Sequence, residues 1–213
     1  MYKRQEENTR ENIYDAFRRK ETFATSGPRI KVRFFSGYNF EDSKINDLEL
    51  IQKAYANNLS MGSTINIEEG RSPKFLVWAI ADSMGAPLQR IQIIKGWLEN
   101  GEHREKVYDV ACSDGLVVNS STFRCPDNGA KVDIENCSIS ESLGASELKT
   151  FWVDPDFLKN QRAFYYARVL ENPVCRWSTW DSIREGVKPR SDIPTTIQER
   201  AWTSPIWFEP TNS

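Results

Sequence analysis

From residue 29 the apolar period of this chain changes from helical to alternating, and after one further helical stretch it reads as strand upon strand to residue 170, apart from an excursion without apolar period at 113–145. Side chains along a strand point to opposite faces in turn, so this period restricts the chain to half-buried strands. Ile30, Val32 and Phe34 fall on one face, and Lys31 and Arg33 on the other. Residues 75–81 are apolar at both parities and read as a strand inside a sheet. Further strands are expected at 88–94, 97–110, 148–153 and 162–170, the second broken by Asn100-Gly101, a pair suited to the positive φ angles of a tight hairpin. A last strand, 201–208, contains Pro205 and is assigned to a sheet edge. The expected fold is mainly β: an antiparallel immunoglobulin-like β-sandwich with an N-terminal helix and one or two short additional helices.

The N-terminal helix is expected over 8–20, with Asn8 as its cap and Glu11 completing a capping box. Ile13, Tyr14 and Phe17 form its apolar face, and a lone helix of this length needs a surface to lie on. That surface is expected outside the chain. Helical spacing of Leu48, Ile51, Ala54 and Tyr55 predicts a second helix over 46–56, and Thr179 is placed to cap a third over 180–185. Residues 113–145 show little apolar period, apart from a short strand expected near 131–134, and read as a long tethered excursion.

Three of the four cysteines, Cys112, Cys125, Cys137 and Cys175, lie in or beside that excursion. No Cys-x-x-Cys pair occurs, which excludes a zinc ribbon or a thioredoxin-type motif. Reduced thiols and one or two disulfides in an exported protein both fit, and three full pairings remain open. With 28 basic against 30 acidic residues, the chain has no positive excess to attract a phosphate backbone, so no nucleic-acid partner is expected. The longest apolar run, 75–81, is far short of the roughly 20 residues a membrane-spanning helix needs. The first ten residues contain no secretory h-region.

Catalytic chemistry is scarce in the sequence. His103 is the only histidine and sits in a charged hairpin tip, which offers no apolar setting to tune an imidazole. Asp154 and Asp156 flank Pro155 and read as a turn closing the preceding strand, since Phe157-Leu158-Lys159 supplies no further oxygen ligands for calcium. Gly96 and Gly101 have the spacing of a phosphate loop, but Glu102-His103 stand where Lys and Ser or Thr are required. No catalytic or metal-binding residue is therefore assigned. Asn58, Asn119 and Asn136 open Asn-x-Ser tripeptides, which matter only in a eukaryotic secretory pathway. Trp177, Trp180 and Trp202, interleaved with arginine, are candidates for an aromatic surface that stacks on sugars or anchors a partner.

Several segments together carry a family resemblance: Glu11-Asn12-Ile13-Tyr14-Asp15-Ala16-Phe17, Arg90-Ile91-Gln92-Ile93-Ile94-Lys95-Gly96-Trp97, Asp154-Pro155-Asp156-Phe157, Gln161-Arg162-Ala163-Phe164-Tyr165-Tyr166-Ala167-Arg168, Cys175-Arg176-Trp177-Ser178-Thr179 and Arg200-Ala201-Trp202-Thr203-Ser204-Pro205-Ile206-Trp207. Taken in this order they resemble the C-terminal portion of a bacterial family of exported proteins, a domain of unknown function. That family is similar to the polymerase and histidinol phosphatase (PHP) type of metal-dependent hydrolase. The resemblance implies a parent protein whose upstream barrel-like domain holds a divalent metal, with histidine and aspartate ligands that no residue here matches. Residues 1–28 would be the last helix and exit loop of that missing domain, and residues 29–213 the β-sandwich. The chain alone would then be catalytically incomplete, periplasmic or secreted with its parent. Ile13, Tyr14 and Phe17 would face the missing domain or support an oligomer. The alternative is a stand-alone glycan- or protein-binding module.

Overall fold

A computed structural model describes residues 2–3, 8–42, 45–46, 49–57 and 59–211. In chain order the elements are β1 (Tyr2–Lys3), α1 (Arg10–Arg18), β2 (Thr22–Thr25), β3 (Lys31–Gly37), α2 (Leu50–Asn57), β4 (Leu59–Ser60), β5 (Thr64–Asn66), β6 (Lys74–Ile80), β7 (Leu88–Glu99) and β8 (Glu102–Cys112). They continue with β9 (Glu147–Val153), β10 (Ala163–Glu171), β11 (Val174–Cys175), α3 (Trp177–Glu185), β12 (Thr196–Ile197), β13 (Arg200–Thr203) and β14 (Ile206–Glu209). Among the described residues β10 is the hub of a large sheet. It pairs with β7 along one side and with β13 and β14 along the other, while β8 extends β7, and β2 and β1 extend β13. A smaller sheet runs β4-β3-β6-β9, and β11 pairs with β12.

The two larger sheets face one shared core, which is why the strands alternate. Ile91, Ile93, Ala167 and Val169 of the large sheet meet Val32, Phe34, Phe75 and Val77 of the small one. Phe75 joins the layers: its ring lies 4.7 Å from Tyr165, 5.7 Å from Phe34 and 5.7 Å from Phe208. The double-sided apolarity of β6 has its own cause. Leu76 and Phe35 on the reverse face are covered by Leu50 and Ala54 of α2.

Several expectations need correction. α1 is capped by Thr9, whose hydroxyl accepts the Asn12 N–H at 3.3 Å, so Asn8 is one residue too early. α2 starts later than residue 46, and the expected roles of Leu48 and Asn58 lie outside the described residues. No strand forms at 131–134, where a single bridge joins Val132 to Ile139. α3 begins at Trp177 rather than after Thr179, whose hydroxyl is instead buried in the helix and donates to the Thr195 carbonyl at 2.7 Å. The last strand is two strands, and neither is the edge assigned from Pro205. β14 pairs with Ala163, Phe164 and Tyr165, and β13 with Arg168, Val169 and Leu170. Pro205 sits between them, where no ladder hydrogen bond is asked of it. In the gap the Thr203 hydroxyl accepts the Ala167 N–H at 2.9 Å. The pairing is not wholly antiparallel either, since β14 runs parallel to β5.

β2 lies within the 1–28 segment and is bonded into the large sheet through Ala201, Trp202 and Thr203 of β13. Asn100 and Gly101, at φ 53° and 81°, turn the β7–β8 hairpin as their residue types require. Gly96 lies within β7, and a Cβ there would stand 2.3 Å from the Phe164 ring, so packing rather than phosphate chemistry explains that glycine. Among the described residues no helix is long and apolar enough to cross a membrane.

Candidate functional site

The outer face of the large sheet, turned away from the shared core, carries polar side chains where its neighbours are apolar. Arg90 and Gln92 alternate with the core residues Ile91 and Ile93 on β7, and Arg168 alternates with Ala167 and Val169 on β10. On β8 a bulge completes the set. Ile91 pairs with Ala111, whereas Gln92 pairs with Asp109, so Val110 is the extra residue. In a regular strand Asp109 would share a face with Ala111; the bulge turns it outward beside Gln92.

The register therefore sets Asp109, Gln92 and Arg168 side by side across three strands, with Trp202 next in the row opposite Arg168. The Gln92 carboxamide links its neighbours, donating to Asp109 Oδ1 at 2.6 Å and accepting from Arg168 Nε at 2.7 Å. The buried Asp109 carboxylate also accepts the Cys125 N–H at 2.8 Å, with Arg124 Nη1 at 3.5 Å and Arg90 Nε at 3.8 Å. Burial lowers the Arg90 pKa; Asp109 opposes that shift, and the positive charges of Arg124 and Arg168 add to it.

These groups line a cleft of about 800 Å³. One wall is the excursion at Cys125, Pro126 and Asp127, and the other is Thr196, Ile197 and Gln198. Disulfides hold the excursion: Cys112 is bonded to Cys125 and Cys137 to Cys175. The Asp109 N–H donates to the Phe123 carbonyl at 2.9 Å, so Asp109 fastens that wall through both backbone and side chain.

A second polar cluster is buried at Lys95 and Asp154 and opens to solvent at Lys106 and Asp156. Lys95 Nζ donates to Asp154 Oδ2 at 2.7 Å, with side chains only 3% and 0% exposed. Tyr165 donates to the same oxygen at 2.7 Å, and Lys95 also reaches the Asp156 carbonyl at 2.7 Å. Tyr108 donates to Asp156 Oδ2 at 2.6 Å, and Lys106 bonds that carboxylate too. Burial raises the pKa of both phenols, and the acceptor carboxylates raise it further. The hydrogen bonds from Lys106 and Tyr108 lower that of Asp156. Asp154 and Asp156 thus do close β9, and they also anchor the turn to β7, β8 and β10.

Of the aromatic candidates, Trp177 and Trp180 come together on α3, 69% and 40% exposed, and with Asp181 and Arg184 line a shallow hollow. Trp202 is apart from them on β13, half-buried, with the Arg200 guanidinium 5.9 Å from its ring centre. Tyr14 and Phe17 are exposed on α1 and Ile13 is half-buried. His103 is exposed on β8 opposite Leu98. Asn119 and Asn136 are exposed in the excursion. Among the described residues no three His, Cys, Asp or Glu side chains converge as a metal-ligand set.

Sequence reading did not select Arg90, Arg124, Arg168 or Asp109. The available signal was a charged residue at the centre of two apolar strands, at Arg90 and at Arg168. For Asp109 no signal existed, because the bulge that aims it is invisible in the pattern.

A model of the family described as Protein of unknown function (DUF3604) matches residues 4–210. Comparisons with curated proteins and with solved structures gave no match.

Proposed function

We propose that this chain, which belongs to the DUF3604 family from residue 4 to residue 210, is the ligand-recognising β-domain of a larger exported hydrolase. It holds a polar ligand in the cleft between Arg90, Asp109 and Arg168, and leaves the chemistry to a metal-bearing domain upstream. The observation that carries the recognition role is the cleft itself. It is an open cleft of ligand size, built on three strands whose polar groups are fixed by one another. Two disulfides suit an oxidising compartment. In the same reading the two facing sheets form an immunoglobulin-like sandwich, and exposed Tyr14 and Phe17 of α1 meet the upstream domain. The PHP-type hydrolase assignment rests on the segment resemblance described above.

The test has two arms. The purified chain, supplied with manganese or zinc, is assayed against phosphate esters and is expected to show no turnover. A panel of mono- and oligosaccharides is then titrated against the chain and its Arg168→Ala variant, with binding expected only to the parent. Metal-dependent turnover that copurifies with the chain contradicts the division of labour, and binding unaffected by Arg168→Ala contradicts the site.

A second reading is favoured by Trp177 and Trp180, whose exposure on one helix suits a stand-alone glycan- or protein-binding surface. Loss of binding in Trp177→Ala, with Arg168→Ala unaffected, would select it.

A further inference from the structure

We infer that the cleft is a site for an acidic sugar: Arg90, Arg124 and Arg168 take a carboxylate or sulfate oxyanion, and Trp202 supports the ring that bears it. This rests on the cleft being the recognition site and adds the class of ligand.

The three arginines hold unused donors. A guanidinium carries five N–H groups in a fixed fork. Arg168 uses Nε on Gln92, Arg124 uses Nη1 on the Val107 carbonyl and near Asp109, and Arg90 uses Nη1 on Gln89 and Nε toward Asp109. Among the described residues the Nη2 atoms of all three have no hydrogen-bond partner. Three cations stand in the lining against two carboxylates, Asp109 and Asp127. Asp109, 3.5 Å from Arg124 and 3.8 Å from Arg90, and Asp127 offset two of the three positive charges, which leaves the lining with an excess of one. Arg–oxyanion pairs are the strong, bidentate class of hydrogen bond, and a planar carboxylate or a sulfate matches the fork.

The choice of a sugar follows from what surrounds the arginines. Trp202 is directly opposite Arg168 in the β10–β13 register, so the two side chains share a face. Its indole is half-buried rather than sealed in the core. Trp202 stands beside the cleft rather than in its lining, with the Arg200 guanidinium 5.9 Å from its ring centre, so a ring held on this indole would reach the cleft past Arg168. The Gln89 carboxamide is taken by Asn128, Arg90 and Gln198, and Gln198 Nε2 is spent on Gln89 and the Glu171 carbonyl, which leaves Gln198 Oε1 and the Thr196 hydroxyl on the cleft border to meet sugar hydroxyls. The overall acidity of the chain, pI about 5.7, disfavours a long polyanion and favours a single acidic group read locally.

The test is amide chemical-shift mapping on the whole isotope-labelled chain, with glucuronic acid, glucose 6-sulfate, glucose and inorganic sulfate as probes. Glucuronic acid or glucose 6-sulfate is expected to shift the amides of Cys125, Thr196 and Gln198 and the Trp202 indole, and to bind more weakly as salt rises. Whichever of the two binds more tightly identifies the oxyanion. Glucose and inorganic sulfate are each expected to bind about tenfold more weakly, the value of one charged hydrogen bond or its equivalent. Arg168→Gln is expected to weaken the acidic sugar about tenfold as well. Arg124→Gln, at a half-exposed position, gives the same readout if Arg168→Gln does not fold. Equal shifts from glucose and glucuronic acid would refute the oxyanion while keeping the recognition cleft. Inorganic sulfate binding as well as glucose 6-sulfate would refute the sugar. Absence of any shift at the cleft, from all four probes, would refute both this inference and the reading beneath it.

Discussion

Replacing Lys95 by Met would leave the Asp154 carboxylate buried beside Tyr165 with its cation gone. An uncompensated buried charge is costly, so Lys95→Met is expected to lose about 3–5 kcal/mol in urea unfolding, and Lys95→Met/Asp154→Leu to recover much of it. Glu171 gives a pH signature. Burial pushes its carboxyl from 4.5 up to about 7, with Asp82 and Glu199 adding to the rise and the Ala86 N–H opposing it. Below about pH 4.5 the group is protonated in both states and its contribution is fully present. Between 4.5 and 7 the unfolded chain ionises first, so stability falls as pH rises through that window. Glu171→Gln should flatten the slope there by an amount on the order of 3 kcal/mol across the window, read from denaturation midpoints at stepped pH. Neither role was legible in the sequence, because Asp154 acquires its partners from β7 and β10, and Glu171 from the connections holding Asp82, Ala86 and Glu199, all distant in the chain.

At the scale of elements, the disulfides decide how firmly the cleft wall is held. Cys112 and Cys125 are 13 residues apart, and Cys137 and Cys175 are 38 apart. Chain-entropy scaling gives about 3 kcal/mol for the first and about 4 kcal/mol for the second. Paired serine substitutions measured by thermal melting should rank in that order. Cys112→Ser/Cys125→Ser should in addition weaken cleft binding, since Arg124 and the Cys125 N–H lie on the freed wall. The strands were readable from which faces are covered: β3, β9 and β10 stand close to where the strand pattern put them, and β6, covered on both faces, close to its double-sided apolar run. What alternation missed were places where the ladder is broken locally. Pro205 divides one apparent strand into β13 and β14, and Val110 bulges out of β8. Both leave the apolar pattern intact while changing which neighbour each residue meets. The start of α1 was misread for a similar reason: Asn8 is the better cap by type, yet the backbone geometry makes Thr9 the cap.

At the scale of the molecule, one shared core supports a large sheet whose outer face carries a polar row, Asp109, Gln92 and Arg168, with Trp202 beside Arg168. Such a row on the central strands of a sheet is costly to stability unless its groups bond one another, as these do, and it leaves guanidinium donors directed to a ligand-sized cleft. Trp202 was named in the sequence as a candidate surface residue with Trp177 and Trp180; the fold sets it apart from them, half-buried on β13 opposite Arg168. The most direct measurement is a crystal structure of the chain with the tightest-binding sugar from the panel. The account predicts the ligand seated between Arg90, Arg124 and Arg168 with its ring against Trp202. A ligand resting on Trp177 and Trp180, with the arginine cleft holding only solvent, would contradict it.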